Sequence, residues 1–247
     1  MALFLNIPSH NNSHYASQIR HWNGTDTKDA WLQNMKDTKN VQFFKMNGWD
    51  NPEAFTYSYN SHGFRCKEFD DAPCYIALGC SHTEGVGLPE DQTWPNQLSI
   101  KLDYPVLNLG VGGSSFDTVV RLLDYYIDKL NIKGIFVLEP PAHRFEIYEQ
   151  TRPITYMASD SRPELIYKQW AASEYNAETN VKKNRYVMQW LSHAHNIKLT
   201  MFESEVAGEY QVPNIEFHRA RDLMHNGKDI QRYIANKFYQ AFNLQDK

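Results

Sequence analysis

Residues 74–85 read Cys-Tyr-Ile-Ala-Leu-Gly-Cys-Ser-His-Thr-Glu-Gly, a short apolar run that ends in glycine and passes straight into a polar stretch. A run of this length without polar alternation suits a parallel strand buried on both faces. Similar runs follow at residues 105–109, 134–138 and 197–202. Between the second and third, Phe116, Val119, Val120, Leu123, Ile127 and Leu130 recur on one helical face, with Ser114 as the opening cap and Asp117 three residues later. Ser161-Arg-Pro-Glu164 reads as another capped start, leading to helical sequence with a break near Asn180 and an end at Asn196. Asn226 opens a last helix whose stripe is Ile230, Tyr233, Ile234 and Phe238. Strands alternating with helices predict a parallel sheet covered on both faces, with functional groups at the carboxyl ends of its strands.

The chain before Pro73 differs in kind. It is rich in Asn, His, Ser and aromatic residues, and its periodicity is weak. It is read as an irregular cap or lead-in over residues 1–71, packed on an α/β domain spanning 72–247. At 247 residues, with 42% apolar and 22% charged residues, one core of this kind is well supplied. The net charge of −4 and the lack of a lysine or arginine run argue against a nucleic-acid partner. No secretory signal or membrane-spanning run is visible, and the mean hydropathy of −0.61 agrees with a cytoplasmic or otherwise soluble protein with no membrane partner. Cys66, Cys74 and Cys80 form no CxxC pair and leave an odd thiol, so no disulfide framework is expected and a reducing compartment is inferred. His193-x-His195 has no carboxylate or cysteine at ligand spacing, and no metal is predicted there. The oligomeric state is open.

Three segments carry candidate chemistry. Ser81 follows the first strand, where backbone N–H groups at the start of the next element can stabilise a developing oxyanion; equally, it can serve only as a cap. Gly79-Cys-Ser81-His-Thr83 approaches the G-x-S-x-G elbow, with Thr83 in place of the final glycine. Asn108-Leu-Gly110-Val-Gly112-Gly113-Ser-Ser115 follows the second strand and suits an oxyanion or phosphate cradle, or a plain tight turn. Asp222-Leu-Met-His225 precedes the last helix, at a spacing that lets the carboxylate orient the imidazole; the bland alternative is a helix-lead aspartate and a solvent histidine.

Taken together in this order and spacing, the three resemble the blocks of the SGNH (GDSL-like) hydrolases: Ser81 in the first, Gly113 in the second and Asp222-x-x-His225 in the last. The similarity extends from Asn60-Ser-His-Gly-Phe-Arg65 through Glu90-Asp-Gln-Thr-Trp-Pro95 to the final helix. The resemblance implies a three-layer α/β/α sandwich of flavodoxin-like type and a Ser81–His225–Asp222 triad. It also implies an acyl ester or O-acetylated carbohydrate as substrate, and no cofactor. One block departs. The family's Gly-x-Asn-Asp segment is replaced by Glu139-Pro-Pro-Ala-His-Arg-Phe-Glu146, so the oxyanion donors expected are the backbones of Ser81 and Gly113 with Arg144, or else His143. Alternatively, either side chain pairs with Glu139 or Glu146. The altered block also motivates a rival reading, a catalytically weak module that binds a glycan or serves a structural role. Acyl transfer to another acceptor would use the same triad. Trp22, Trp31 and Trp49 suit stacking on sugars or, more commonly, core filling.

Overall fold

The computed structural model describes residues 7–149, 152–156, 170, 173–203, 208 and 218–244. In chain order they form β1 (Ile19–Arg20), α1 (Lys28–Asn34), α2 (Thr38–Asn47), β2 (Tyr57–Ser58), β3 (Cys74–Leu78), α3 (Ser81–Glu84), α4 (Trp94–Leu102), β4 (Val106–Asn108) and α5 (Phe116–Tyr126). Then come β5 (Ile132–Leu138), β6 (Phe145–Glu149), β7 (Arg152–Tyr156), α6 (Glu174–Ala194), β8 (Lys198–Phe202) and α7 (Lys228–Leu244).

All four expected strands enter one parallel sheet in the order β4-β3-β5-β8, which is the start of the flavodoxin-like order. Their lack of alternation is explained by burial on both sides. Ile76, Leu78, Ile135 and Val137 face one layer, with Val119, Val120 and Leu123 of α5 and Met188 and Leu191 of α6. Ala77, Phe136 and Leu138 face the other, with Trp94 and Leu98 of α4 and Ile234, Phe238 and Phe242 of α7. Each large apolar side chain so buried contributes about 1.5–3 kcal/mol. The chain therefore builds the three-layer α/β/α sandwich that the pattern predicts.

Several local expectations are corrected. The cap of α5 is Ser115, not Ser114: its Oγ accepts from the Thr118 N–H at 3.3 Å, while Ser114 Oγ donates to the carbonyl of Gly79 at 3.1 Å. Helix α6 runs unbroken through Asn180, because the amides of Asn180 and Asn184 both donate to Asp117 (3.1 and 2.9 Å) and are satisfied without leaving the helix. The start expected at Ser161 lies outside the described residues. At the last helix it is Gly227, one residue after Asn226, whose carbonyl accepts the first helical bond, from Gln231. The altered block after β5 leads into an antiparallel hairpin, β6–β7, that the pattern did not suggest.

The amino-terminal segment is more regular than expected. It holds α1 and α2, each with a side-chain cap (Thr27 and Asp37), and the short β1–β2 ribbon. Trp31, Phe43, Phe44, Trp49, Phe55, Tyr57 and Tyr59 form its core and close over Leu88 and Ala220. Those two residues lie in the loops after α3 and before α7, so this segment packs against both.

Candidate active site

Ser81 is the first residue of α3, immediately after β3, and Cys80 occupies the N-cap position. The serine is therefore not a cap, and its side chain is available to other partners. Two features hold this turn. Asn108 donates through Nδ2 to the Thr83 carbonyl (2.9 Å) and accepts from the Gly110 N–H (3.0 Å), tying the loop after β4 to α3. Gly110 is required there, since a Cβ would sit 2.4 Å from the Glu84 nitrogen. Arg65, fully buried, donates to the carbonyls of Glu84, Gly85 and Leu88 and fixes the far side of the turn. Thr83, the residue that breaks the elbow pattern, is buried and accepts from Trp94 Nε1 at 3.3 Å.

Asp222 and His225 sit on a tight loop before α7. Its ends are joined by hydrogen bonds from the Ala220 N–H to His225 O and from the Gly227 N–H to His218 O. Leu223 is held at φ 58°, an uncommon conformation for a branched residue and one met at functional turns. Asp222 Oδ1 accepts from the backbone N–H groups of Met224 and His225, both at 3.0 Å. That leaves Oδ2 to face His225 Nδ1 at 2.6 Å, and His225 Nε2 lies 2.7 Å from Ser81 Oγ. The order Oδ2···Nδ1–C–Nε2···Oγ is the geometry of a nucleophile, a base and an orienting carboxylate. Burial pushes the Asp222 carboxyl upward, but hydrogen bonds from His225 and Thr25 and the charge interaction with His225 outweigh it and hold the group below its ordinary value. His82 packs its ring 4.8 Å from that of His225, and burial pushes its own value down to about 3, so this neighbour stays neutral.

A cleft of about 510 Å³ opens over Ser81 and His225, bounded by Asn12, Asn23, Gly113 and Arg144 among others. Gly113, which lines this cleft, has φ 72°, a conformation glycine adopts at no steric cost. Among the described residues, neither the Ser81 nor the Gly113 N–H donates to a protein acceptor. Arg144 is not paired with Glu139 or Glu146. Glu139 is held by Arg185 (2.8 and 2.7 Å) and Glu146 by Arg121 (2.9 and 2.7 Å). Arg144 Nη1 donates to the Ser114 carbonyl at 3.3 Å, and its buried Nε has no partner among the described residues. His143 is exposed and does not line the cleft.

The amino-terminal segment supplies residues that the sequence did not mark. Thr25 Oγ1 donates to Asp222 Oδ2 at 2.5 Å, Asn23 Nδ2 to Glu84 Oε1 at 2.7 Å, and Arg221 clasps Asp26 at 2.6 and 2.9 Å. Trp31 and Trp49 are core residues, and Trp22 packs under the Arg221 guanidinium. His195 lies near Asp128 on the surface, away from this site. No helix of the described residues is long and apolar enough to cross a membrane.

No protein-family model matches the chain, and no curated protein does. Among solved structures it is similar to a psychrotrophic esterase, EstA, from Pseudoalteromonas sp., in a structure inhibited by monoethylphosphonate (15% identity, 71% of this chain and 98% of that one, TM-score 0.37). It is also similar to a member of the lipolytic protein G-D-S-L family from Veillonella parvula (17% identity, 70% and 99%, TM-score 0.39). What bears on the chemistry is the site itself.

Proposed function

We propose that the chain is a serine ester hydrolase of SGNH type, with Ser81 as nucleophile, His225 as general base and acid, and Asp222 as the group that orients and stabilises His225. The observation that carries this reading is the unbroken contact series from Asp222 Oδ2 through His225 to Ser81 Oγ, at 2.6 and 2.7 Å.

With Nδ1–H donated to Asp222, Nε2 is free to accept the Ser81 proton as Oγ attacks the ester carbonyl carbon. The carbonyl oxygen becomes an oxyanion that takes hydrogen bonds from the Ser81 and Gly113 N–H groups and from Arg144. The C–O bond to the alcohol then breaks, and the alcohol departs with the proton from Nε2. Water, deprotonated by the same nitrogen, attacks the acyl-Ser81 ester; breakdown of that second intermediate returns the proton to Oγ and releases the acid. No cofactor enters these steps. The cleft wall presents Asn11, Asn12, His14 and Tyr15, donors and acceptors suited to a hydroxyl-bearing alcohol such as a carbohydrate. The proposed substrate is accordingly an acyl ester, acetyl included, of a carbohydrate or small polar molecule.

Hydrolysis of a small acetyl ester by the wild type and by folded Ser81→Ala tests the proposal. Loss of turnover is expected. Near-normal turnover by the variant contradicts it, and a wild type that is inert on esters but binds a glycan supports the binding-module reading instead.

A further inference from the structure

We infer that the turn formed by residues 23–26 is a positioning element for the proposed catalytic residues, and that Thr25 is the residue that locks Asp222 onto His225. The inference rests on the hydrolase reading above and adds the amino-terminal segment to its machinery.

The turn is a closed loop: Asn23 and Asp26 exchange N–H···O bonds in both directions at 3.0 Å, with Gly24 and Thr25 at the tip. Gly24, at the first tip position with φ 57°, suits so tight a turn. Each polar side chain of the turn reaches a different part of the site. Asn23 holds Glu84, the last residue of the helix that Ser81 opens, while Asp26 holds Arg221, the residue before Asp222. Thr25 bonds Asp222 itself. The turn therefore ties the nucleophile loop to the base loop, whose Ser81 and His225 are 144 residues apart in sequence.

The Thr25 hydroxyl has a specific task. Asp222 Oδ1 is already occupied by two backbone N–H groups, and the side chain of Asp222 is 0% exposed. Oδ2 has one lone pair for His225 Nδ1 and a second that water does not reach. Thr25 fills the second, which fixes the carboxylate plane so that the first points at the imidazole. The charged and titratable groups around this contact are Arg221 and Asp26 behind Asp222, His82 against the His225 ring, and Arg144 across the cleft.

The test compares wild type with Thr25→Val, close in shape but without the hydroxyl, with Thr25→Ala as the second variant if valine perturbs folding, and with Thr25→Ser. The readouts are kcat and KM on a small acetyl ester and the proton NMR resonance of the His225 Nδ1–H, which reports its bond to Asp222 and needs no turnover. Loss of one hydrogen bond to a charged group should lower kcat about tenfold with little change in KM. It should also shift the Nδ1–H resonance, because the carboxylate plane is no longer fixed by the hydroxyl. Thr25→Ser should keep both near their wild-type values. A folded Thr25→Val or Thr25→Ala protein with unchanged resonance and kcat overturns the inference, as does a change that Thr25→Ser shares. If the wild type turns over no ester, the hydrolase reading fails, and the resonance alone still decides whether Thr25 sets the Asp222–His225 pair.

Discussion

Replacing Arg144 by alanine probes the part of the site where the chain departs from the SGNH pattern. The guanidinium gives up little in the ground state: its Nη1 bond to Ser114 O is long, at 3.3 Å, Nε has no partner among the described residues, and both neighbouring carboxylates are taken by other arginines. Removing it should therefore cost about 1 kcal/mol of stability or less. Its weight differs in the transition state, because Arg144 lines the same cleft as Ser81 and Gly113, whose N–H groups are proposed to meet the oxyanion. Loss of one such donor typically costs about 2.7–4 kcal/mol, or a rate loss of about 100- to 1000-fold. Steady-state kinetics on p-nitrophenyl acetate, with a thermal melt as control, should show that loss in kcat with KM nearly unchanged. His143→Ala should do far less, because His143 is exposed and outside the cleft. A loss confined to KM, or a kcat within about tenfold of wild type, would refute Arg144 as an oxyanion donor.

Two further outcomes follow from the same geometry. His225→Ala and Asp222→Asn should each cripple turnover, and the double variant should lose scarcely more than His225→Ala, because the carboxylate acts only through the imidazole; multiplicative losses in kinetics of the three proteins would contradict a single unit. Stability should fall in mild acid. Burial holds the His10 value down to about 4 and the His82 value down to about 3, so below the ordinary 6.5 the unfolded chain takes up protons that the folded chain refuses. Each histidine then removes about 1.4 kcal/mol of stability per pH unit as pH drops from 6.5 toward 4. Denaturant unfolding between those values checks the slope, and a flat profile would count against the buried neutral state of both rings.

The strands were legible because their signal is local. A run such as Ile76-Ala-Leu78, short, apolar without alternation and closed by Gly79, suits a strand covered on both sides. Helix α5 was legible for the same reason, and its cap slipped by one residue only because Ser114 and Ser115 are adjacent and one of them is engaged by the Gly79 carbonyl. The caps of α1 and α2, Thr27 and Asp37, with Gly48 closing the second, were present in the sequence, but apolar periodicity in that stretch was too weak to connect them. Of the candidate site, Ser81, Asp222 and His225 were legible because Ser81 follows a strand and the other two precede the last helix, and the structure places their side chains within hydrogen-bonding distance. Thr25, Asn23 and Asp26 were not found. Asn-Gly-Thr-Asp reads as an ordinary turn, and what makes it part of the site is contact with residues 61 to 200 positions away, for which no local pattern exists. The hairpin β6–β7 is hard to read for a related reason: each strand is only five residues long, and the alternation in Phe145-Glu-Ile147 is too short to stand out.

Activation of Ser81 by His225 can be measured by covalent labelling without knowledge of the natural substrate. A fluorophosphonate probe reacts with an activated serine oxygen, which displaces fluoride from phosphorus and leaves a stable phosphonyl ester that peptide mass spectrometry locates. The wild type should label at Ser81 alone, Ser81→Ala not at all, and His225→Ala far more slowly. A folded wild-type protein that takes no label, or takes it at another serine, would contradict that activation.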